Sequence, residues 1–192
     1  MLKKYILLLT LSILLTLQPS YAVNSQPSPL AKIKQPQPVP VPTSQIQVYF
    51  SPNGNCTDAI VKALNQAKSS ILIQAYSFAS PPIAKAVVEA HKRGVKVQVI
   101  LDKSQRTEKY SSADFVAHAG IKVLIDAKHK IAHNKIMVID TETVITGSFN
   151  FTKFAEEGNA ENLLIINSPE LAAKYIENWN KHSEHSEEYK GR

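Results

Sequence analysis

Cysteine is almost absent from this sequence, in which Cys56 is the only one. A single cysteine excludes an internal disulfide and the zinc motifs that are built on cysteine pairs. The sequence also lacks H-E-x-x-H, and no cluster of carboxylates lies beside its most suggestive histidine, His133. We therefore predict no metal site and no cofactor. One alternative is a weak metal site at His182 and His185, near the end of the sequence.

Long apolar runs are missing as well. The apolar run at residues 5–17 holds about 13 residues, whereas a membrane-spanning helix needs about 20. It follows Lys3 and Lys4 and precedes Ser20-Tyr21-Ala22, a small-x-small cleavage sequence. This order is typical of a secretory signal peptide. We expect residues 1–22 to be cleaved and the protein to be periplasmic or secreted, the alternative being a membrane anchor.

Charge of one sign is only mildly in excess. The formal net charge is +6, and Lys3 and Lys4 would leave with the signal peptide. Such an excess does not by itself identify a nucleic-acid partner.

Proline is concentrated in residues 23–45, which hold six of the eleven prolines among small and polar residues. This composition predicts an extended linker. Residues 46–192 remain, and they are enough for one domain.

Hydrophobic periodicity predicts strands that alternate with helices in this domain. The strands are expected at 45–50, 70–76, 95–101, 121–125, 136–139, from 144 onward and at 160–167. The helices are expected at 58–68, with Thr57 as its cap, and at 83–92, 111–118 and 169–179, before a solvated charged tail at 182–192. The pattern predicts an α/β fold, with a mixed central β-sheet flanked by helices.

The most informative stretch is a predicted hairpin at residues 136–146, with polar residues at both ends. Side chains two positions apart on a strand share a face. His133 and Lys135 are therefore expected to point the same way, as are Ser148 and Asn150. A nucleophile or base, a fixed cation and two neutral hydrogen-bond donors would together suit a phosphate group.

These residues resemble the HKD motif of the phospholipase D superfamily. The matching pattern is His133-x-Lys135-x4-Asp140 followed by Gly147-Ser148-x-Asn150. The single motif, the small size and the phrase at 147–153 are most similar to the bacterial Nuc-type endonucleases of that superfamily. The resemblance covers roughly residues 46 to 168, including 101–105, 108–110 and 159–162.

The resemblance implies metal-independent hydrolysis of a phosphodiester. It gives His133 the role of nucleophile, which forms a phosphohistidine intermediate. Lys135 would supply charge to the phosphoryl oxygens, and Asn150 would donate from its amide. Glu161 matches the position that holds the second ring nitrogen of the histidine. Ser148 either donates to the phosphate or supports the turn.

Asp140 and Gly147 belong to the motif but are expected to be structural. Asp140 lies seven residues after His133, which places it on the opposite face of a regular strand, at the start of a turn. We expect it to hold the hairpin or to pair with a neighbouring base.

Three basic residues, Lys103, Arg106 and Lys109, follow a predicted strand. Loops at the carboxyl ends of strands tend to line the site of an open α/β sheet. These residues are candidates for contacts with backbone phosphates, with Tyr110 or Phe78 able to stack on a base. A solvated loop is the alternative.

The favoured function is a non-specific endonuclease that cleaves DNA or RNA. One alternative is a phospholipase D that hydrolyses phospholipid head groups, although residues 23–192 show no amphipathic face rich in tryptophan. A second alternative is a non-catalytic nucleic-acid-binding module. Superfamily members with two HKD motifs resemble a fused pair, whereas this chain has one motif. We therefore expect a homodimer with its active site at the two-fold interface.

Overall fold

An eight-stranded mixed sheet forms the centre of residues 45–192, the part of the chain that a computed structural model describes. The predicted signal peptide, and the predicted linker apart from Gln45, lie outside the described residues. The strands are β1 (Ile46–Ser51), β2 (Ser70–Ala75), β3 (Phe78–Ala79), β4 (Lys96–Asp102), β5 (Lys122–Asp126), β6 (Lys135–Ile139), β7 (Thr143–Gly147), β8 (Phe151–Thr152), β9 (Glu161–Asn167) and β10 (Glu187–Tyr189). The helices are α1 (Cys56–Gln66), α2 (Pro81–Lys92), α3 (Ala113–His118), α4 (Lys153–Glu157) and α5 (Pro169–Ser183), with a 3-10 turn at Lys103–Arg106.

The strands of the large sheet follow the order β1-β9-β7-β6-β2-β4-β5-β10. Strands β2, β4 and β5 are parallel, because α2 and α3 return the chain to the same end of the sheet. Strands β6, β7, β9 and β1 continue the sheet in antiparallel pairs. The predicted α/β fold with a mixed central sheet is therefore confirmed. A small parallel pair, β3 and β8, was not predicted.

Helices cover both faces of this sheet. The larger core joins α1, α2 and α3 to one face, through residues such as Leu64, Val87 and Val116. On the other face α5 packs over β2, β5, β6 and β7. Trp179 of α5 is buried there and donates from its indole N–H to the carbonyl of Ile73 at 2.9 Å. None of the helices in residues 45–192 is long and apolar enough to cross a bilayer.

The predicted cap of the first helix is wrong. Helix α1 begins at Cys56, so Asn55 and not Thr57 is the N-cap residue. Asn55 has φ 64°, a left-handed conformation that asparagine tolerates better than most residues. The free amides of Asn55 and Thr57 donate to the carboxylate of Glu156, at 3.0 and 2.7 Å. A residue distant in sequence therefore caps the helix.

The expected solvated tail at 182–192 is also wrong. Helix α5 continues to Ser183, and β10 then pairs with the outer edge of β5. Tyr189 is buried and donates to Asp114 at 2.6 Å, and Arg192 pairs with the same carboxylate at 2.8 Å. The hydrogen bond from Tyr189, together with Arg192, lowers the pKa of Asp114 to about 2. Backbone pairing of a polar strand leaves little trace in hydrophobic periodicity, which explains the miss.

Candidate active site

His133 lies in the loop that connects β5 to β6, residues 127–134, which we call the nucleophile loop. The loop crosses the ends of β4 and β2, because these strands separate β5 from β6 in the sheet. Two anchors hold it beside His133. The buried carboxylate of Asp102, at the end of β4, accepts from the amide of Ala132 at 2.8 Å. The amide of Tyr76 donates to the carbonyl of Asn134 at 2.7 Å. The exposed His133 side chain is therefore carried by a fixed backbone.

The aromatic ring of Tyr76 contacts both His133 and Lys135 of the motif. Its centroid lies 4.7 Å from that of the His133 ring and 5.1 Å from Lys135 Nζ. Lys135 Nζ also donates to the carbonyl of His133 at 3.1 Å. Lys135 is buried, and burial lowers its pKa from the ordinary value, while the carboxylate of Glu161 opposes the shift. His133 and Lys135 thus lie together at the start of β6.

The segment after β7 alternates between polar and apolar side chains. Phe149 and Phe151 are fully buried in the core, so Ser148 and Asn150 point the other way. Gly147 ends β7 with φ +142°, and a Cβ atom there would lie 2.3 Å from the carbonyl oxygen of Asn162. Only glycine allows this close approach. The amides of Ser148 and Phe149 donate to that same carbonyl, at 3.1 and 3.2 Å, which fixes the turn.

Glu161 lies beside Ser148. The hydroxyl of Ser148 donates to Glu161 Oε2 at 2.5 Å, and Asn159 Nδ2 donates to Oε1 at 3.0 Å. Among the described residues, Glu161 makes no hydrogen bond with His133, so its predicted role as the partner of that ring is not realised within one chain. The buried side-chain oxygen of Asn150 has no hydrogen-bond partner in residues 45–192. This side of the site therefore combines a hydrogen-bonded Ser148–Glu161 pair with a buried acceptor.

The three basic candidates lie at the carboxyl end of β4, as expected, but two of them already have partners. Lys103 Nζ donates to the carbonyl of His129 at 3.1 Å. Arg106 pairs with Glu187 of β10. The exposed Lys109 lies 5.3 Å from the ring of Tyr110. Arg106 is thus paired with the edge strand β10, away from the motif. The lysine that does lie close to His133 and Glu161 is Lys135.

Asp140 is held away from His133, at the other end of β6. Its carboxylate accepts from the amides of Lys68, Ser69 and Ser70, at 2.9, 2.7 and 3.0 Å, and from the hydroxyl of Ser69 at 2.9 Å. The residue has φ 53° in the hairpin turn. It joins this turn to the connection between α1 and β2.

Sequence reasoning missed Tyr76 and Asp102. Tyr76 directly follows β2, and Asp102 is the last residue of β4. Both lie at the end of the sheet where the motif begins β6. The rule that loops at the carboxyl ends of strands line the site would have identified both residues, because they lie at the carboxyl ends of β2 and β4.

Replacing Asp140 with asparagine is expected to destabilise the protein by about 1–3 kcal/mol at pH 7, since three amide hydrogen bonds lose a charged acceptor. Burial would raise the pKa of Asp140, but the amides of residues 68–70 outweigh it and lower the pKa. This contribution is present above the ordinary value of about 3.9 and is lost as pH falls through the lowered value. The difference between Asp140→Asn and wild type should therefore shrink below about pH 4.

Urea unfolding at several pH values measures this difference. The matched control is Glu142→Gln in the same turn, whose exposed carboxylate accepts no hydrogen bond from the described residues. Equal unfolding free energies for the two variants at pH 7 would contradict the role of Asp140.

Comparison with known proteins identifies the family to which this motif belongs. The family described as "Cardiolipin synthase, PLD-like domain" matches residues 60–183, more than half of the chain. The chain belongs to the phospholipase D superfamily. As a member, it is a phosphodiester hydrolase of that superfamily.

Three relatives of this superfamily illustrate the similarity. A protein named phospholipase D from Rickettsia felis is 40% identical over 166 residues, which cover 84% of this chain and 83% of the relative. The structure of Nuc from Salmonella typhimurium, a phospholipase D family member, is 39% identical with a TM-score of 0.75. It matches 77% of this chain and 99% of Nuc. NucT from Helicobacter pylori is 26% identical with a TM-score of 0.71, over 76% of this chain and 99% of NucT. The predicted Nuc-like membership is therefore confirmed.

Proposed function

We propose that this phosphodiesterase is an endonuclease that cleaves DNA or RNA without sequence preference. The observation that carries the proposal is the match to Nuc, which spans 99% of that chain at 39% identity. The relatives named phospholipase D keep lipid head-group hydrolysis as the second candidate. Both candidates use the same phosphodiester chemistry and differ in what binds on either side of the phosphate.

The proposed reaction has two displacements. A neutral ring nitrogen of His133 attacks phosphorus, and the bond from phosphorus to the leaving oxygen breaks as the N–P bond forms. Lys135 stabilises the negative charge on the non-bridging oxygens, with the Asn150 amide as a further donor. Ser148, whose hydroxyl proton is donated to Glu161, supports the turn beside them. The leaving oxygen takes a proton from an acid. Water then attacks the phosphohistidine, gives up a proton to a base, and restores the free imidazole.

We further propose that a homodimer completes this site. The first displacement needs an acid opposite the nucleophile, and within one chain His133 also lacks a hydrogen bond to Glu161. A two-fold axis beside His133 would bring the second subunit's histidine and Glu161 to the same phosphate. The second histidine could then act as the acid, and the second Glu161 could accept the hydrogen bond from His133.

An exposed apolar strip supports the dimer. Ile46, Val48 and Phe50 of β1 share a face, and their exposed fractions are 53%, 49% and 65%. Helix α5 packs on this side of the sheet but over β2, β5, β6 and β7. Phe50 pairs with Asn162, whose carbonyl holds the turn at Ser148. The strip therefore reaches the edge of the site, where a second subunit would bury it.

Export is proposed as well, since residues 1–22 carry the basic, apolar and small-x-small order of a signal peptide. Mass spectrometry of protein recovered from the periplasm or medium should show a chain that begins at Val23. A chain that retains Met1 in the cytoplasm would refute the proposal.

The substrate assignment is tested by incubating the purified protein separately with plasmid DNA, RNA and phosphatidylcholine vesicles, each with and without EDTA. We expect nicking and degradation of nucleic acid, no release of choline, and activity that persists in EDTA while circular dichroism shows a folded protein. Choline release without nucleic-acid cleavage would favour the phospholipase. Loss of activity in EDTA from protein that remains folded would contradict the histidine mechanism, and binding without cleavage would indicate a non-catalytic module.

The basic loop predicts a salt effect on DNA binding. Replacing Lys103, Arg106 and Lys109 together with glutamine should flatten the salt slope, because each lost phosphate contact reduces counterion release. Since Arg106 is paired with Glu187, we expect a loss equivalent to about two phosphates, roughly 1.8 in the logarithmic slope. Fluorescence anisotropy from low to moderate salt measures it.

A matched triple variant controls for net charge. Lys92, Lys96 and Lys122 are exposed and lie at the opposite end of the parallel strands. Their replacement by glutamine should leave the slope nearly unchanged. An equal effect of the two triple variants would remove the loop from the substrate path.

A further inference from the structure

Two pairs of potential metal ligands, which come from distant parts of the sequence, converge at the end of β5. Asp126 ends β5, and His129 follows three residues later in the nucleophile loop. His182 lies in the last turn of α5, and His185 follows three residues later. One ligand atom from each of these residues lies within 4.8 Å of the other three. We call these four residues the histidine cluster.

The three imidazoles of the cluster surround one carboxylate. Nδ1 of His182 lies 2.7 Å from Asp126 Oδ2, and Nδ1 of His129 lies 2.9 Å from the same oxygen. Nε2 of His185 lies 3.4 Å from Asp126 Oδ1. The ring centroids are 4.9 to 5.4 Å apart. All three rings therefore direct a nitrogen toward the same small volume.

Hydrogen bonds satisfy the oxygens of this carboxylate, since the amides of Lys128 and His129 also donate to Asp126 Oδ1 at 3.2 and 3.4 Å, but they leave its negative charge to be compensated. The Asp126 side chain is 0% exposed, so its charge is removed from water. A buried charge is costly unless an opposite charge compensates it. His185 Nε2 is itself buried and has no hydrogen-bond partner in residues 45–192. A cation at the centre would compensate the carboxylate and give this nitrogen a lone-pair acceptor.

We propose that Asp126, His129, His182 and His185 bind one Zn²⁺ ion in a structural site. Imidazole nitrogens and a carboxylate oxygen are ligands that zinc accepts, and four protein ligands are typical of a closed structural site. In a tetrahedron with ligand distances of about 2.05 Å, neighbouring ligand atoms lie about 3.3 Å apart. The separations within the cluster bracket this value, so small side-chain movements complete the coordination. Ligand geometry, and not affinity alone, favours zinc over copper or nickel.

The metal ion would link the start of the nucleophile loop to the end of α5. Asp126 and His129 bracket the first turn of the nucleophile loop, while His182 and His185 belong to the end of α5. Three strand spacings, about 14 Å, separate β5 from β6, so the metal does not reach the scissile phosphate. It holds the start of the loop whose other end carries His133. Metal binding is thus expected to stabilise the fold and to leave the two displacements at His133 unchanged in kind.

Metal content and stability test the proposal without reference to catalysis. Untagged protein, stripped with EDTA and then dialysed against Zn²⁺, should bind one equivalent by inductively coupled plasma mass spectrometry. Its melting temperature should rise by several degrees on metal addition, since a ligand that binds only the native state stabilises it. Co²⁺ in place of Zn²⁺ should give the visible absorption bands of tetrahedral nitrogen and oxygen coordination.

Two variants separate this site from adventitious binding. His129→Gln and His185→Gln should each weaken Zn²⁺ binding at least about 100-fold, which exceeds the typical effect of an outer-shell partner. His129 is 43% exposed, so its replacement leaves the buried core intact. The matched control is His91→Gln, a half-buried histidine in the last turn of α2, which should bind zinc like wild type.

Less than one tightly bound equivalent in wild type, or wild-type affinity in both cluster variants, would overturn the metal site. Failure of the nuclease proposal would leave these measurements unaffected. Conversely, His185→Gln should remain able to cleave its substrate at temperatures where it is folded.

Discussion

His133→Asn is expected to reduce turnover by about 10⁴-fold or more while leaving the fold intact. Asparagine cannot attack phosphorus to form the covalent intermediate, so the two-step route is lost. The side chain is exposed and contacts mainly the ring of Tyr76, so the melting temperature should change little. Lys135→Ala should also reduce turnover strongly, because the non-bridging oxygens lose their cation.

Steady-state cleavage of plasmid DNA, with circular dichroism of each variant, provides the measurement. His91→Asn is the control, since this histidine lies at the end of α2 and outside the candidate site. Activity of His133→Asn within tenfold of wild type would refute the histidine nucleophile. Acid-labile and base-stable phosphate captured on wild type but not on His133→Asn would support the intermediate directly.

Mixing subunits should expose the shared site. When wild type is exchanged with a ninefold excess of His133→Ala, nearly every wild-type subunit pairs with a variant. Activity per wild-type subunit should then fall to roughly a tenth, because only wild-type pairs hold two histidines around one phosphate. The same excess of His91→Ala should cause no loss.

Sedimentation velocity completes this test. We expect the active species to sediment as a dimer, and Phe50→Asp in the apolar strip to shift it toward monomer with loss of activity. Full activity per wild-type subunit in the mixtures, or an active monomer, would refute the shared-site proposal.

Much of this architecture was accessible from sequence because buried strands and amphipathic helices leave periodic patterns. The strands at Ser70–Ala75 and Lys135–Ile139 begin or end within a residue or two of the prediction. The parity argument also placed Asp140 away from His133, and its contacts with residues 68–70 agree with that separation. These inferences depend on neighbours along the chain, which a sequence displays directly.

Contacts between distant segments were the ones that sequence reasoning missed. Glu156, which lies in α4, caps the start of α1, and no residue near Asn55 in the sequence indicates this contact. The polar stretch after Trp179 suggested solvent, whereas β10 is held through its backbone and through Tyr189. The histidine cluster likewise depends on the end of α5 meeting the nucleophile loop. Each pair, Asp126 with His129 and His182 with His185, is unremarkable by itself.

The pairing of β1 with β9 has a consequence for how the chain folds. Ser51 and Asn159, which meet at the end of this pair, are 108 residues apart in sequence. Contacts of such high sequence separation are slow to form, because the intervening chain must be closed first. Strand β1 is the first of the described strands to be synthesised, but it cannot pair until β9 has been made. Until β9 arrives, Ile46, Val48 and Phe50 belong to an open strand with apolar side chains, the kind of segment that aggregates. Refolding yield should consequently fall as protein concentration rises, and a chaperone that shields this strand should restore it.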